Sequence, residues 1–239
     1  MAAGVRAEVP VRLRARAVAL DFNGTLADDE PVLASIFCEL LAERGLTLTP
    51  DTYMRELAGL SDREITVRGL SLRGREPTAP EVDAMLAERA DRYRRRAALH
   101  SPLRPEAAEL VRTLAARIPV AVVSGAARSE VEMALDGAGL RPLLSACVCG
   151  EDVRAGKPDP EGYLRALDAL GRAPGGGGPI RAADVVAIED SPAGLDAARA
   201  AGMRCLAITG TAPIEALVTR ADGVLHSLAT NAVMGLLDV

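Results

Sequence analysis

Acidic side chains follow two short apolar runs of the sequence. Asp21 comes directly after residues 17–20 (AVAL), and Glu189 and Asp190 come after residues 185–188 (VVAI). Adjacent carboxylates repel one another unless a cation is present, and carboxylate oxygens are preferred ligands of hard divalent cations. The pattern therefore favours a divalent-metal site, although two solvated loop acids would have the same sequence.

A hydroxyl and a glycine follow a third apolar run. Ser124 and Gly125 come directly after residues 120–123 (VAVV) and before a helical pattern. Backbone N–H groups at a helix start, together with a hydroxyl, are suited to binding the oxygens of an anion. A serine that only caps the helix is the alternative.

Lys157 is the only lysine among the 28 basic residues of the chain. Since the chain uses arginine at every other basic position, we expect that an arginine cannot do the work of this one. The lysine lies in a Gly-Lys-Pro-Asp-Pro loop, where its compact ammonium group could neutralise a phosphate and a nucleophile together. An ordinary surface lysine is the alternative.

The apolar runs alternate with helical periodicity. Apolar positions at three- and four-residue spacing predict helices at 106–117, 129–138, 160–170 and 193–201, and a further strand is expected at 205–208. This rhythm predicts an α/β fold with a Rossmann-like parallel sheet covered on both faces. Ligands of such sheets bind beyond the carboxyl ends of the strands, which is where Asp21, Ser124, Glu189 and Asp190 fall.

The segment from residue 28 to residue 103 interrupts this alternation. It contains helical patterns at 32–44, 51–57, 62–70 and 81–100 but no convincing strand. We therefore expect an α/β catalytic core made of residues 1–27 and 104–239, with an inserted α-helical cap at 28–103.

The composition excludes several classes of partner. The net charge is −5 and no basic block exceeds three consecutive arginines, which argues against nucleic-acid binding. No apolar run approaches the roughly 20 residues of a membrane span, and the first residues lack the apolar centre of a signal peptide. We expect a cytoplasmic protein with a small-molecule partner; the oligomeric state stays open.

Four segments, in this order, resemble the motifs of the haloacid dehalogenase superfamily of phosphohydrolases. They are DFNGTLADDEP, VVSG, GKPDPEGY and IEDSPAGLDAARAAG. The resemblance extends from about residue 17 to residue 228. The long fourth motif and the helical insertion after the first are similar to the subgroup that contains β-phosphoglucomutase and phosphoglycolate phosphatase.

The resemblance implies a phosphatase chemistry for the chain. Asp21 would attack phosphorus and become an aspartyl phosphate. Ser124 and the N–H groups of Gly125 and Ala126 would hold the transferring oxygens, and Lys157 would neutralise charge between nucleophile and phosphoryl group. A phosphoryl transition state needs such positioning and electrostatic stabilisation.

The resemblance also implies a magnesium site. Its ligands would be Asp21, Asp190, Glu189 and the main-chain carbonyl of Asn23. The expected function is therefore a magnesium-dependent phosphohydrolase that acts on a small phosphorylated metabolite.

Asn23 departs from the pattern of the family. Relatives normally have a second aspartate there, which protonates the leaving group and then activates water, whereas an amide cannot titrate. Because general acid catalysis is typically worth about 10²–10⁴-fold, we expect slow turnover of alkyl phosphates unless another group substitutes. The alternative is a catalytically impaired member that binds a phosphorylated ligand or partner.

The cap offers one candidate for substrate selection. Residues 59–63 match the position of the substrate-selecting cap loop of the family, and Arg63 is the candidate contact for a distal phosphate or carboxylate. Leu33 and Ala58 occupy positions where β-phosphoglucomutase-like sequences usually have histidine and lysine. These differences argue against a sugar-phosphate mutase.

Overall fold

The structure is a computed structural model that describes residues 12–58, 60–97, 99, 101–173 and 179–239. Short runs of valine, alanine and leucine form its strands, as expected for residues that are buried on both faces of a sheet. The strands are β1 (Leu13–Arg14), β2 (Ala17–Leu20), β3 (Val120–Val123), β4 (Ala146–Val148), β5 (Val185–Glu189), β6 (Arg204–Ile208), β7 (Gly223–Leu225) and β8 (Leu237–Asp238).

A parallel sheet forms the centre of the described chain. Its six strands lie in the order β4–β3–β2–β5–β6–β7, and β1 pairs separately with β8. All of the strand pairs in both sheets are parallel. Since β2 is central, its carboxyl end lies between those of β3 and β5, which confirms the Rossmann-like α/β fold.

Helices cover both faces of this sheet. Successive residues of a strand point to opposite faces, so Val18 and Leu20 of β2 pack into one apolar cluster while Ala17 and Ala19 pack into another. The helices outside the expected insertion are α5 (Ala107–Ala115), α6 (Arg128–Gly137), α7 (Glu161–Arg172), α8 (Pro192–Ala200), α9 (Ile214–Val218) and α10 (Thr230–Leu236).

The insertion is helical and has an apolar cluster of its own. Its helices are α1 (Glu30–Ala42), α2 (Pro50–Glu56), α3 (Asp62–Ser71) and α4 (Ala79–Ala97). Within the cluster, the rings of Phe37 and Tyr53 stack at a centroid distance of 5.9 Å. The chain leaves and rejoins the sheet side by side, because Ala27 and Leu103 form an antiparallel bridge. We propose that the boundary between core and cap lies at this bridge.

Two differences from the expected elements concern the site. Helix α1 begins at Glu30, two residues before the expected start at 32, because Pro31 is tolerated in the first turn of a helix. Strand β4, whose last residue Val148 borders the larger site cavity, was not predicted, although residues 146–149 form an apolar run as long as those of β2 and β3. Strands β1, β7 and β8 were not predicted either, because each has only two or three residues.

Local hydrogen bonds fix the helix starts that border the site. The Ser61 hydroxyl accepts from the N–H of Glu64, and the Glu64 carboxylate accepts from the N–H of Ser61, which is a capping box at the start of α3. Ser191 caps α8 by accepting from the N–H of Gly194 at 3.0 Å. In the described residues, no helix is both long enough and apolar enough to cross a membrane.

Candidate active site

Asp21 and Lys157 form the centre of the site. Asp21 comes directly after β2 and is buried. The Lys157 ammonium group donates to Asp21 Oδ1 at 2.5 Å, to Glu189 Oε1 at 2.5 Å and to the Val123 carbonyl at 3.2 Å. Three acceptors around one tetrahedral ammonium group hold it beside the expected nucleophile, so Lys157 is not an ordinary surface lysine.

Glu189 is held by donors on both of its carboxylate oxygens. Oε1 accepts from Lys157 and, at 2.8 Å, from the Tyr163 hydroxyl. Oε2 accepts from the Ser191 hydroxyl at 3.1 Å and from the backbone N–H groups that follow Glu189. A Cβ atom at Gly194 would lie 2.0–2.1 Å from this carboxyl group. Helix α8 therefore needs a glycine at this position for Glu189 to reach Lys157.

Asp190 completes a compact acidic cluster. Ligand oxygens of Asp21, Glu189 and Asp190 all lie within 4.8 Å of one another. Oδ2 of Asp21 and Oδ2 of Asp190 are buried and have no hydrogen-bond partner. A Cβ atom at Gly24, where φ is +75°, would lie 1.8 Å from Asp190 Oδ2. The glycine after Asn23 thus lets Asp190 approach the Asp21 turn.

The acidic cluster is electrostatically unfavourable without a cation. Burial, and next the neighbouring Glu189 charge, raise the pKa of Asp21 to about 7. Burial and then the charge of Asp21 raise the pKa of Asp190 well above its usual value. Burial opposes the charge of Lys157, but the two carboxylates that it contacts hold its pKa above the usual value. One ammonium group therefore does not neutralise three carboxylates.

Asn23 and Ser124 are joined to each other. The Ser124 hydroxyl donates to Asn23 Oδ1 at 3.1 Å and accepts from the N–H of Ala126 at 3.0 Å. The Asn23 amide nitrogen donates to Asp29 Oδ2 at 2.9 Å, and the Tyr93 hydroxyl donates to the same oxygen at 2.5 Å. The Asn23 amide thus connects the end of β3 with the start of the cap.

Two adjoining cavities border these groups. The smaller, of about 40 Å³, is lined by Asp21, Asn23, Ala126 and Asp190 from the core and by cap residues that include Glu30. The larger, of about 590 Å³, lies between core and cap. Both are lined by a shared set of residues, Ser61, Asp62, Gly125 and Lys157. An elongated ligand could therefore place one end beside Asp21 and its remainder in the larger cavity.

Arg63 lies apart from the acidic cluster. It lines the larger cavity but not the smaller one, its side chain is 60% exposed, and it forms an ion pair with Asp83 at 2.7 Å. Arg89 of α4 lines the same cavity and is only 1% exposed. It forms ion pairs with Glu130 of α6 and, at 3.2 Å, with Asp62.

Several residues of the site were not predicted from the sequence. Tyr163 was missed although it lies in the GKPDPEGY motif, since a tyrosine in a helix carries no sign of its partner. Arg104 donates to the carbonyls of Gly24 and Thr25, both at 2.9 Å, and so holds the turn after Asp21. Asp29 and Glu30 stood within the first motif, but the expected helix start at residue 32 assigned them to a connection.

The geometry defines a class of protein: an α/β protein with a carboxylate, an ammonium group and an acidic cluster at the carboxyl ends of parallel strands. The profile of the haloacid dehalogenase-like hydrolase family matches residues 15–202. The chain belongs to this family, as the four motifs indicated.

Named relatives extend this result. Validoxylamine A 7′-phosphate phosphatase of Streptomyces hygroscopicus subsp. limoneus is 38% identical over 112 residues, which cover 47% of this chain and about half (48%) of that relative. N-acetylmuramic acid 6-phosphate phosphatase of Pseudomonas putida is 29% identical over 197 residues, 82% of this chain and 83% of the relative.

A solved structure matches nearly the whole chain. A crystal structure of CbbY from Rhodobacter sphaeroides, in complex with xylulose-(1,5)bisphosphate, has a TM-score of 0.77 and 27% identity, and the match covers 94% of this chain and 100% of that one. These relatives support the expectation of a phosphatase.

Proposed function

We propose that this chain is a magnesium-dependent phosphatase of a small phosphorylated metabolite and that Asp21 forms an aspartyl phosphate. The observation that carries the proposal is the setting of Asp21. One of its oxygens is bound to Lys157, and the other is buried without a partner beside Asp190. A buried carboxylate held in this way is ready to react with, or to bind, an electrophile.

The acidic cluster fits a hard divalent cation. Two buried oxygens without partners, on Asp21 and Asp190, lie in a set that contains only carboxylate ligands, and Mg²⁺ prefers such oxygens. The ligands would be Asp21, Asp190, Glu189 and the main-chain carbonyl of Asn23. When bound, Mg²⁺ would neutralise charge on the phosphoryl oxygens. Glu189, whose oxygens already accept from several donors, would also keep Lys157 in place.

The phosphoryl group would occupy the smaller cavity and the rest of the substrate the larger one. Lys157 and Gly125 line both, which suits residues that contact the transferring oxygens. The Ser124 hydroxyl would rotate toward these oxygens, and the N–H of Ala126, no longer bound to that hydroxyl, would donate to them as well. The larger cavity is lined by charged side chains, among them Arg63 and Glu151, and by apolar ones such as Leu86 and Val153, which suits a metabolite that has both polar and apolar parts.

The activity can be tested with a phosphatase screen across sugar, acyl, nucleotide and aryl phosphates, with Mg²⁺ and with excess chelator. We expect Mg²⁺-dependent release of phosphate that Asp21→Asn abolishes while the protein stays folded. Beryllium fluoride, a mimic of the aspartyl phosphate, should bind the wild type but not this variant. Full activity in chelator, or in Asp21→Asn, would overturn the assignment.

The alternative is a family member that binds a phosphorylated ligand without turning it over, and the amide at Asn23 is the observation in its favour. Rapid mixing with an aryl phosphate separates the two. An enzyme releases the aryl group in an amount that exceeds the enzyme concentration, whereas a binding protein releases none. A burst that equals the enzyme concentration and then stops would show that only hydrolysis of the aspartyl phosphate is impaired.

A further inference from the structure

A buried carboxyl group of the cap faces the smaller cavity. Glu30, the first residue of α1, is 5% exposed, and its Oε2 has no hydrogen-bond partner. It lines the cavity of about 40 Å³ together with Asp21 and Asn23. A polar cavity of this size has room for water. Glu30 thus lies beside the space that a phosphoryl group and its leaving oxygen would occupy.

The surroundings of Glu30 keep its proton exchangeable near neutral pH. Burial, and next the charge of Asp29, raise the pKa of Glu30 to about 7, while a hydrogen bond from Tyr53 acts in the opposite direction. A group with a pKa close to the working pH can both give and accept a proton. The titratable groups around it are Asp29 directly before its helix, Tyr53 on α2, Asp62 on α3, Asp21 and Asp190 at the sheet, and Lys157, which lines the same cavity.

The side chain of Asn23 does not supply the proton transfer that phosphate-ester hydrolysis needs. It cannot titrate, and both ends of its amide are engaged, one by Ser124 and the other by Asp29. Asp21 is bound to Lys157 and belongs to the acidic cluster. Among the described residues that line the smaller cavity, two carboxyl groups lie outside both the cluster and the Asn23 network, those of Glu30 and Asp62. Asp62 is paired with Arg89 at 3.2 Å, whereas Glu30 Oε2 has no partner, so Glu30 is the carboxyl group that is left to exchange a proton.

We propose that Glu30 is the general acid and base of this enzyme, in place of a carboxyl group at position 23. The proposal rests on the phosphatase function proposed above. It assigns a proton-transfer role to the cap, so that the reaction requires the cap to lie against the core.

The proton balance has two steps. In the first, an oxygen of Asp21 attacks phosphorus, the bond between phosphorus and the ester oxygen breaks, and the Glu30 carboxyl group gives its proton to the leaving oxygen. In the second, the Glu30 carboxylate takes a proton from water while the water oxygen attacks phosphorus. The bond between phosphorus and Asp21 then breaks, inorganic phosphate leaves, and Glu30 is protonated again.

A purely structural role for Glu30 makes different predictions. An acidic residue in the first turn of a helix interacts favourably with the helix dipole, so its removal would lower stability without changing the pH dependence of catalysis. The variant Glu30→Gln keeps the shape and removes the titration. Glu39→Gln, on the same helix and in a half-exposed ion pair with Arg96, is the matched control.

The test compares these variants on sugar phosphates and on p-nitrophenyl phosphate with Mg²⁺ present. For Glu30→Gln we expect kcat on sugar phosphates to fall by about 10²–10⁴-fold, the usual worth of general acid–base catalysis, while Glu39→Gln stays at the wild-type rate. The p-nitrophenol burst should survive, since that leaving group needs little protonation, and the steady-state rate should fall. The pH profile of Glu30→Gln should lack the limb near pH 7 that we expect for the wild type.

Rescue by a second substitution gives an independent readout. Asn23→Asp in the Glu30→Gln background restores a carboxyl group where relatives have one, and kcat should rise at least about tenfold. Should Glu30→Gln fold poorly, Glu30→Asp serves instead: it should keep the pH limb while kcat falls.

The outcomes separate the two proposals. A wild type that bursts, with a Glu30→Gln variant within about threefold of it and an unchanged pH profile, would overturn the role of Glu30 alone. A wild type without any burst or phosphate release would overturn the phosphatase function, and the role of Glu30 with it.

Discussion

The contact between Gly194 and Glu189 offers a sharp test of how the site is built. Gly194→Ala adds a Cβ atom that would lie 2.0–2.1 Å from the Glu189 carboxyl group. No rotation of a methyl group removes such an overlap, so the carboxylate must leave its position. The Lys157 ammonium group and the Tyr163 hydroxyl would then lose a shared acceptor.

The loss of stability in Gly194→Ala follows from the contacts that are broken. Breaking a buried ion pair by removing one partner costs about 3–5 kcal/mol, and alanine returns at most about 1 kcal/mol of helix propensity relative to glycine. The variant should therefore be less stable by at least roughly 2 kcal/mol, which lowers Tm by about 4–8 °C for a domain of this size. We also expect the phosphatase rate to fall by at least about tenfold, because Lys157 loses its fixed position.

A helix glycine without a near neighbour provides the matched control. Gly171 of α7 has no atom within 4 Å of a Cβ placed on it, so Gly171→Ala should keep full activity and gain about 0.5–1 kcal/mol. Tm from calorimetry and steady-state rates of both variants measure the difference. If Gly194→Ala matches Gly171→Ala in stability and rate, then Glu189 does not occupy the position that anchors Lys157.

Three further predictions test other contacts. Lys157→Arg should lower kcat/KM at least about tenfold although charge is kept, since a planar guanidinium cannot replace an ammonium group among three acceptors; a variant that keeps a third of the wild-type value would contradict this. Arg89→Met leaves Glu130 buried without its partner and should lower the free energy of unfolding by about 3–5 kcal/mol. The double variant Arg89→Met/Glu130→Met should recover most of this stability. If the single and the double variant lose the same stability, Arg89 and Glu130 do not form a buried pair. Asn23→Asp places a carboxyl group where the amide nitrogen is 2.9 Å from Asp29, which raises the pKa of the pair above its unfolded value. The Tm of Asn23→Asp, measured in chelator, should therefore fall further below that of the wild type as pH rises from about 5 to 8. The double variant Asn23→Asp/Asp29→Asn should restore the Tm. A Tm difference that does not depend on pH would refute the like-charge pair.

The sequence by itself determined the architecture of the core and most of the site. Strands β2 and β3 have the expected bounds, because four consecutive small or β-branched apolar residues leave little alternative to a buried strand. Parallel strands bring their carboxyl ends to one edge of the sheet. Asp21 and the Glu189-Asp190 pair accordingly lie together, as their positions after the strands indicated. Lys157, which was singled out as the only lysine, contacts both Asp21 and Glu189.

The tertiary structure decided the contacts that depend on packing between distant segments. Gly194 is needed because Glu189 bends back over the start of α8, and no spacing in the sequence expresses that approach. Arg63 was the candidate in the cap, yet it pairs with Asp83 near the surface while Arg89 is buried against the core. The side on which a helix residue lies depends on how α3 and α4 pack against each other.

Glu30 is the residue whose role depends most on the tertiary structure. Its sequence neighbours identify it only as an acid in the connection before a predicted helix, a position that usually faces water. The burial of its carboxyl group, the partnerless Oε2 and the cavity shared with Asp21 arise only when α1, α2 and α3 close over the end of β2. Desolvation, which raises the pKa of a carboxyl group, is a property of the folded cap, so only the tertiary structure could reveal a titratable group in place of the one that Asn23 lacks.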